Sequence, residues 1–327
     1  MKKAIVSICC NTYNHEAYIR QTLQSFIDQQ TDYVFEVLVY DDASTDNTQS
    51  IIKEFEDKYP ETIKPIYQTT NQYSQRLRPS FQNRQRAKSK YVAICEGDDY
   101  WCDNKKLQKQ IDYMEKNPRC TFCFTNGITL YGEEFGNSII PWNKASVRKK
   151  NQADFNPGEL EMIGYIPTAS FIYRNGYFFP EMPEGAFMGD AYIKHIMTYY
   201  GYAHYIDEIT VVYRRANALS ATAGWENLER FTRQADAFIK LYEGLKELNQ
   251  HKYDDVFNLR ICEWKIEKYY RAQAFDELKK INESGEYKCI RRGNLYYRIN
   301  MWMKCKHPKT FIKLRKILKG KMKSLNR

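Results

Sequence analysis

Glu96-Gly97-Asp98-Asp99 places three carboxylates within four residues, directly after an apolar run. Carboxylates crowded in this way repel one another unless a cation sits among them. Oxygen-only donors suit a hard divalent ion, Mg2+ or Mn2+. Gly97 permits a turn and the close approach of a phosphate. Taken alone, the same four residues can equally form a solvated acidic turn. A second acidic stretch, Asp41-Asp42-Ala43-Ser44-Thr45-Asp46, also follows an apolar run and precedes a helical pattern. Asp42 can accept a hydrogen bond from a base edge such as the imide N–H of uracil. Thr45 and Asp46 fit better as helix caps, whereas the sequence offers Asp42 no obvious structural task. Third comes Asn11-Thr12-Tyr13-Asn14. Tyr13 can stack on a base or simply pack.

The elements that must position these residues are legible from periodicity. Residues 4–10 are a continuous apolar run, the pattern of a strand buried on both faces. Asn14 can cap a helix through about residue 29, with Tyr18, Leu23, Phe26 and Ile27 on its packed face. Residues 35–40 read as a second buried strand. Ser44 or Thr45 then opens a helix to Lys58 that stops before Pro60. Strands at 63–67 and 91–95 follow, separated by a polar stretch (69–78) and a basic helix (80–88). Residues 105–116 form the next helix, ending near Pro118. This alternation predicts an α/β fold whose mostly parallel sheet is flanked by helices. Such sheets bind ligands at the carboxyl ends of their strands, where all three polar loops fall. Residues 131–155 lose the pattern and read as a mobile loop or lid. Strand patterns return at 169–173 and 204–213, around a helix over 190–200. After Ser220 only long helical patterns remain, at 226–248 and 254–281.

The three loops together resemble the nucleotide-binding half of family-2 glycosyltransferases of the GT-A fold. The matching text is residues 5–14 (IVSICCNTYN), 35–48 (FEVLVYDDASTDNT) and 90–107 (KYVAICEGDDYWCDNKKL). The resemblance implies an inverting transfer of a sugar from a nucleoside diphosphate, with UDP as the expected carrier, to a hydroxyl of a glycan or lipid-linked acceptor. It implies that Asn11, Tyr13 and Asp42 hold base and ribose, with Asn14 beside them. It places Asp98 and Glu96 at a Mn2+ or Mg2+ ion, with Asp98 and Asp99 at the diphosphate. Met188-Gly189-Asp190-Ala191 looks like the family's catalytic-base motif, which makes Asp190 the candidate base; alone, Asp190 would read as a helix N-cap. Arg84 and Arg76 are candidates for charge stabilisation of the diphosphate. Thr168, Ser170 and the 131–155 stretch are candidate acceptor neighbours. Two departures stand out: Glu96 replaces the usual Asp, and Ala216 stands where relatives often carry a His after the Tyr-Arg pair. Either Asn217 or Arg214 substitutes there, or this contact is absent. A weaker grip on the cation is expected, and a metal titration checks it.

The expected organisation is a GT-A domain over 1–220, a helical domain over 221–303 and a basic tail over 304–327. The chain carries a formal net charge of +10 from 50 Lys and Arg against 40 Asp and Glu. Ten of those cations lie in 304–327, which has no acid, so the remaining 303 residues balance at 40 against 40. A neutral body excludes an extended nucleic-acid face. In the tail, Phe311, Leu314, Leu318, Met322 and Leu325 recur at helical spacing among the cations. Such a helix suits the surface of an anionic membrane, and also a solvated helix packed on the body. No run approaches the ~18 apolar residues of a membrane span, so a cytoplasmic protein, peripheral at the inner membrane surface, is expected. Nine scattered Cys suggest a reducing compartment, and Cys120-x-x-Cys123 lacks the second pair of a zinc site. A sugar nucleotidyltransferase would want a Gly-rich basic loop after the first strand, which is missing. A dinucleotide oxidoreductase would want G-x-G-x-x-G, also missing. A degenerate, nucleotide-binding but non-catalytic relative is the remaining alternative.

Overall fold

The computed structural model describes residues 3–75, 77–140, 152–186, 189–215, 227–286 and 295–315. Arg76, Ala216, Asn217, Leu318, Met322 and Leu325 lie outside the described residues. The chain divides into two units, Met1–Pro180 with Gly189–Ala218, and Glu181–Met188 with Leu219–Arg327.

The first unit is built on β1 (Val6–Thr12), β2 (Phe35–Asp41), β3 (Ile63–Tyr67) and β4 (Tyr91–Ile94), in the order β3-β2-β1-β4 and all parallel. Between them run α1 (Ile19–Ile27), α2 (Thr48–Lys58) and α3 (Pro79–Arg86). The apolar runs make buried strands because both faces are covered: Val6, Ile8, Cys10, Val37 and Val39 are wholly enclosed with Leu23, Phe26 and Ile52 of the helices. Each such side chain contributes about 1.5–3 kcal/mol of burial. The chain continues through β5 (Tyr100–Trp101), α4 (Lys106–Lys116), β6 (Cys120–Tyr131), β7 (Glu134–Ser138), β8 (Asp154–Phe155), α5 (Pro157–Ile163), β9 (Ile172–Arg174), α6 (Gly189–Tyr200) and β10 (Tyr202–Arg215). Strand β9 runs antiparallel between β4 and β6. It lets β6 and β10 continue parallel to each other before β5 closes the edge antiparallel to β10. The mixed, mostly parallel sheet has the GT-A architecture expected from the sequence.

Three local expectations differ from the structure. Helix α1 starts at Ile19, not at Asn14, whose φ of +53° lies outside the helical region. Helix α2 starts at Thr48, later than Ser44 or Thr45: Ser44 Oγ accepts from Asn14 N across the loops, and Asp46 accepts from Glu16 N across the loops and from Thr48 N at the head of the helix. Within 131–155, residues Glu134–Ser138 form β7, which folds back on β6 through Gly132 at φ +59°. Residues 141–151 lie outside the described residues. Cys120 and Cys123 are buried in β6 as free thiols, as expected for a core strand.

The second unit is helical: α7 (Leu228–Leu248), α8 (Asp254–Arg271), α9 (Phe275–Ser284) and α10 (Leu295–Lys306). Phe238 stacks on Trp264 with centroids 4.5 Å apart, joining α7 to α8. The start of the basic stretch packs onto this unit. Lys304 is buried and bonded to Glu267, and Phe311 lies 5.8 Å from the Tyr270 ring. Among the described residues no helix is long and apolar enough to cross a membrane.

Candidate functional site

The three loops meet because neighbouring strand ends hold their backbones together. Gly97 N donates to the Asn11 carbonyl at 2.8 Å, and Asp42 N to the Thr12 carbonyl at 2.9 Å. Thr22 of α1 donates through Oγ1 to the carbonyls of Gly97 and Asp99, at 3.0 and 2.6 Å. A Cβ on Gly97 would stand 2.6 Å from Thr12 Oγ1 and 2.9 Å from His15 Nδ1. Only glycine therefore lets the acidic loop lie this close to the Thr12–His15 turn. Both of those side-chain atoms are buried without a hydrogen-bond partner. His15 Nε2 stands 4.0 Å from Asp98 Oδ2, and burial keeps the imidazole's pKa below its ordinary value.

The carboxylates divide into two kinds. Asp41 and Asp99 are structural. Asp41 is fully buried and accepts from Ser44 Oγ, Ser44 N and Gln49 Nε2. Asp99, 2% exposed, accepts from Arg214 N of β10 at 2.9 Å, and burial and then Asp98 push its pKa well up. Glu96 and Asp98 are not enclosed in this way. The Glu96 carboxyl is pushed up to about 8, first by burial and then by the charges of Asp98 and Asp190. Asp190 therefore shares the electrostatic field of the acidic loop, from the first turn of α6. That helix is held by a buried cluster: Lys194 Nζ and His195 Nε2 lie 2.9 and 2.8 Å from Glu161 Oε2 on α5.

Arg214 clamps the acidic loop from β10. Its guanidinium donates to the Asp98 carbonyl at 2.6 Å and to Gln21, and lies over the rings of Tyr18 and Tyr100, 5.0 and 4.7 Å from their centroids. With its charge spent there, Arg214 acts as a brace for Asp98.

The remaining expected site residues are placed as follows. Asn11 Oδ1 accepts from Asn83 Nδ2 at 2.9 Å. Asn14 Oδ1 accepts from Thr45 N at 2.8 Å, tying the first loop to the second. Tyr13 is half-buried between them in sequence. Asp42 has the structural task that its sequence context hides: its two oxygens accept from Gln72 N and Tyr73 N, at 2.7 and 3.0 Å. A carboxylate offers about four acceptor sites, so Asp42 retains capacity for a ligand donor. Arg84 lies elsewhere. Its guanidinium bonds the Ser80 carbonyl and sits over Phe81 and Phe179, none of which belongs to the carboxylate group. Ser170 is fully buried and donates to the Pro167 carbonyl, so it is closed to an acceptor; Thr168 is partly buried. Sequence reasoning missed His15, Thr12 and Tyr165. Tyr165 follows Gly164 and lies with its ring centroid 5.6 Å from that of Tyr213; burial, then Tyr213, then Asp99, Asp190 and Glu96 push its pKa well up.

Among the described residues no group of three or more His, Cys, Asp or Glu is arranged to hold a metal ion. Glu96 and Asp98 nevertheless fit a divalent cation that takes its other ligands from phosphate and water. Mg2+ is commonly held by one or two carboxylates plus substrate phosphates. The charges of Asp98 and Asp190, which after burial raise the Glu96 pKa, are charges that a cation would offset.

The model of the family described as Glycosyl transferase family 2 matches residues 7–174. An uncharacterized protein of Mycobacterium tuberculosis H37Rv is 33% identical over 214 residues, which cover 64% of this chain and 58% of the relative. TuaG of Bacillus subtilis, named for teichuronic acid biosynthesis as a glycosyltransferase, is 34% identical over 132 residues, 40% of this chain and 50% of that protein. The chain thus spans little more than half the length of these relatives. Among solved structures, residues 1–349 of TarS from S. aureus superpose with a TM-score of 0.57 at 17% identity, covering 91% of this chain and 86% of that one. The mannosyltransferase PcManGT of Pyrobaculum calidifontis, solved with GDP-Man and Mn2+, superposes at 0.52 and 13%, covering 93% and 85%. At these identities the likeness is one of fold.

Proposed function

Because the chain belongs to glycosyl transferase family 2, we propose that it moves a sugar from a nucleoside diphosphate, UDP first, to a hydroxyl of a glycan or lipid-linked acceptor, with inversion. What supports this reading is that Glu96 and Asp98 follow β4 at the carboxyl end of the parallel strands and that the charge of Asp190, from the first turn of α6, reaches Glu96. Base and ribose would lie along Asn11, Tyr13, Asn14 and Asp42. Glu96 and Asp98 would hold a divalent cation, which when bound neutralises the diphosphate as a Lewis acid. Arg214 and Thr22 fix the loop that presents them. Asp190 takes the acceptor hydroxyl's proton while that oxygen attacks the anomeric carbon. The bond to the diphosphate breaks on the opposite face, and its electron pair leaves with the phosphate oxygen. Structural relatives support the donor class: TarS has been solved with UDP and PcManGT with GDP-Man and Mn2+.

A thermal-shift screen of UDP, GDP, TDP and ADP, with and without Mn2+ or Mg2+, tests it. A ligand that binds only the native state raises stability by RT ln(1 + [L]/Kd). UDP with Mn2+ is expected to give the largest rise. A protein indifferent to every diphosphate, with or without metal, sinks the reading.

A further inference from the structure

His15 has no task in the proposed function, yet the first loop turns its ring inward against the acidic one. Asn14, at φ +53°, takes a left-handed backbone conformation that residues other than glycine seldom adopt. Hydrogen bonds hold the turn there: Asn14 N donates to Ser44 Oγ at 2.9 Å, His15 N to Thr48 Oγ1 at 2.8 Å, and Ile19 N to the His15 carbonyl at 2.8 Å. The imidazole is thereby fixed at its root, and its side chain is only 13% exposed. Its Nδ1 is buried without a hydrogen-bond partner, beside the spot that a Cβ on Gly97 would fill. A strained turn and an orphaned polar atom both cost stability, and packing alone gives no return for them.

The gap to Asp98 supplies a reason. Two other histidines of the chain close on the acids they face: His195 Nε2 lies 2.8 Å from Glu161 Oε2, and His204 Nδ1 lies 2.6 Å from Asp154 Oδ1. His15 Nε2 stops 4.0 Å from Asp98 Oδ2, too far for a hydrogen bond. Two atoms each bonded to one cation at about 2.1 Å stand up to about 4.2 Å apart, so the gap has the width of an ion. We propose that His15 Nε2 is a nitrogen ligand of the cation placed on Glu96 and Asp98. Nδ1 then carries the ring proton, and Thr12 Oγ1, the second orphan against Gly97, is its natural acceptor. Among the described residues these side chains do not form a closed set of three ligands, in keeping with a site that the donor's phosphates complete. The nitrogen bears on which metal is taken. Oxygen donors alone suit Mg2+ and Mn2+ alike, whereas an imidazole shifts the preference toward a transition ion. The site should therefore take Mn2+ ahead of Mg2+. The inference rests on the cation assignment of the proposed function.

Pulsed EPR of Mn2+ bound to the tag-free protein with UDP tests it. A nitrogen coupling to Mn2+ is expected, and its frequencies should change when the chain's five histidines carry nitrogen-15 while UDP does not. His15→Gln should abolish the coupling. It should also weaken Mn2+ binding to the UDP-loaded protein about tenfold and alter Mg2+ binding by less than about twofold. If His15→Gln does not fold, the isotope measurement on the parent protein decides by itself. Mn2+ bound with UDP but without histidine coupling overturns the ligand, as does an equal loss of Mg2+ and Mn2+ in His15→Gln; either result leaves the cation and donor assignments standing. Protein that binds no Mn2+ in the presence of UDP removes the cation assignment and this ligand together, and a UDP thermal shift without metal would then still speak for the donor.

Discussion

Asp41, Asp42, Glu96, Asp98, Asp99 and Asp190 look alike as carboxylates, yet their partners set them different tasks. Asp41 and Asp99 spend their oxygens on the fold, Asp42 steadies the 70–73 turn with capacity to spare, and Glu96 is repelled by Asp98 and Asp190. If Asp190 is the base, Asp190→Asn should lower transfer turnover about 10²–10⁴-fold while leaving the UDP thermal shift intact. Equal turnover would remove Asp190 from the chemistry. Lys106 gives a separate test of burial. It is fully enclosed, its Nζ has no hydrogen-bond partner, and it lies 4.2 Å over the Trp101 ring. Burial lowers its pKa from 10.5 to about 7. The unfolded chain therefore binds this proton more tightly than the folded one between about 7 and 10.5. The penalty is fully present below about pH 7 and is relieved as pH rises through that window. Lys106→Met should raise the thermal midpoint at pH 7, and the advantage should shrink toward pH 10. A pH-independent difference between the two proteins would contradict this account.

At the scale of elements, the site depends on how closely two loops approach. Gly97→Ala would force a Cβ against Thr12 and His15. The expected result is a loss of about 1–3 kcal/mol in urea unfolding together with weaker UDP binding. Unchanged UDP affinity would mean that the acidic loop need not lie against the Thr12–His15 turn. The strands were readable because burial on both faces leaves uninterrupted apolar runs, as at residues 4–10 and 35–40. The starts of α1 and α2 were not, because Asn14 and Ser44 have cap chemistry but use it across loops, about thirty residues apart, and Asp46 divides its oxygens between Glu16 N across the loops and Thr48 N at the start of α2. Strand β7 was hidden for a similar reason. Glu134–Ser138 has no apolar alternation, and its pairing is set by the β6 edge it folds onto.

At the scale of the whole chain, charge is the feature most plainly written in the composition. The cations beyond Arg315 are Lys316, Lys319, Lys321, Lys323 and Arg327. We propose that they draw the protein to anionic lipid. Removing residues 316–327 should abolish co-sedimentation with phosphatidylglycerol vesicles at low salt and spare UDP binding. Full-length protein that ignores such vesicles would end that proposal. The earlier part of the basic stretch has other work. Lys304 and Phe311 face Glu267 and Tyr270, so hydropathy spacing alone overstated the apolar face available to lipid.

The sequence by itself determined the strand–helix alternation of the parallel half, the family, and the loops in which its acids lie. Periodicity and carboxyl-end placement are local consequences of burial and chain direction. Only the tertiary structure decided which acid accepts from a backbone amide, and that Arg84 bonds Ser80 and packs on Phe81 and Phe179 apart from them. Those outcomes turn on contacts between residues far apart in the chain, such as Asp99 with Arg214, and no local pattern encodes a partner 115 positions away.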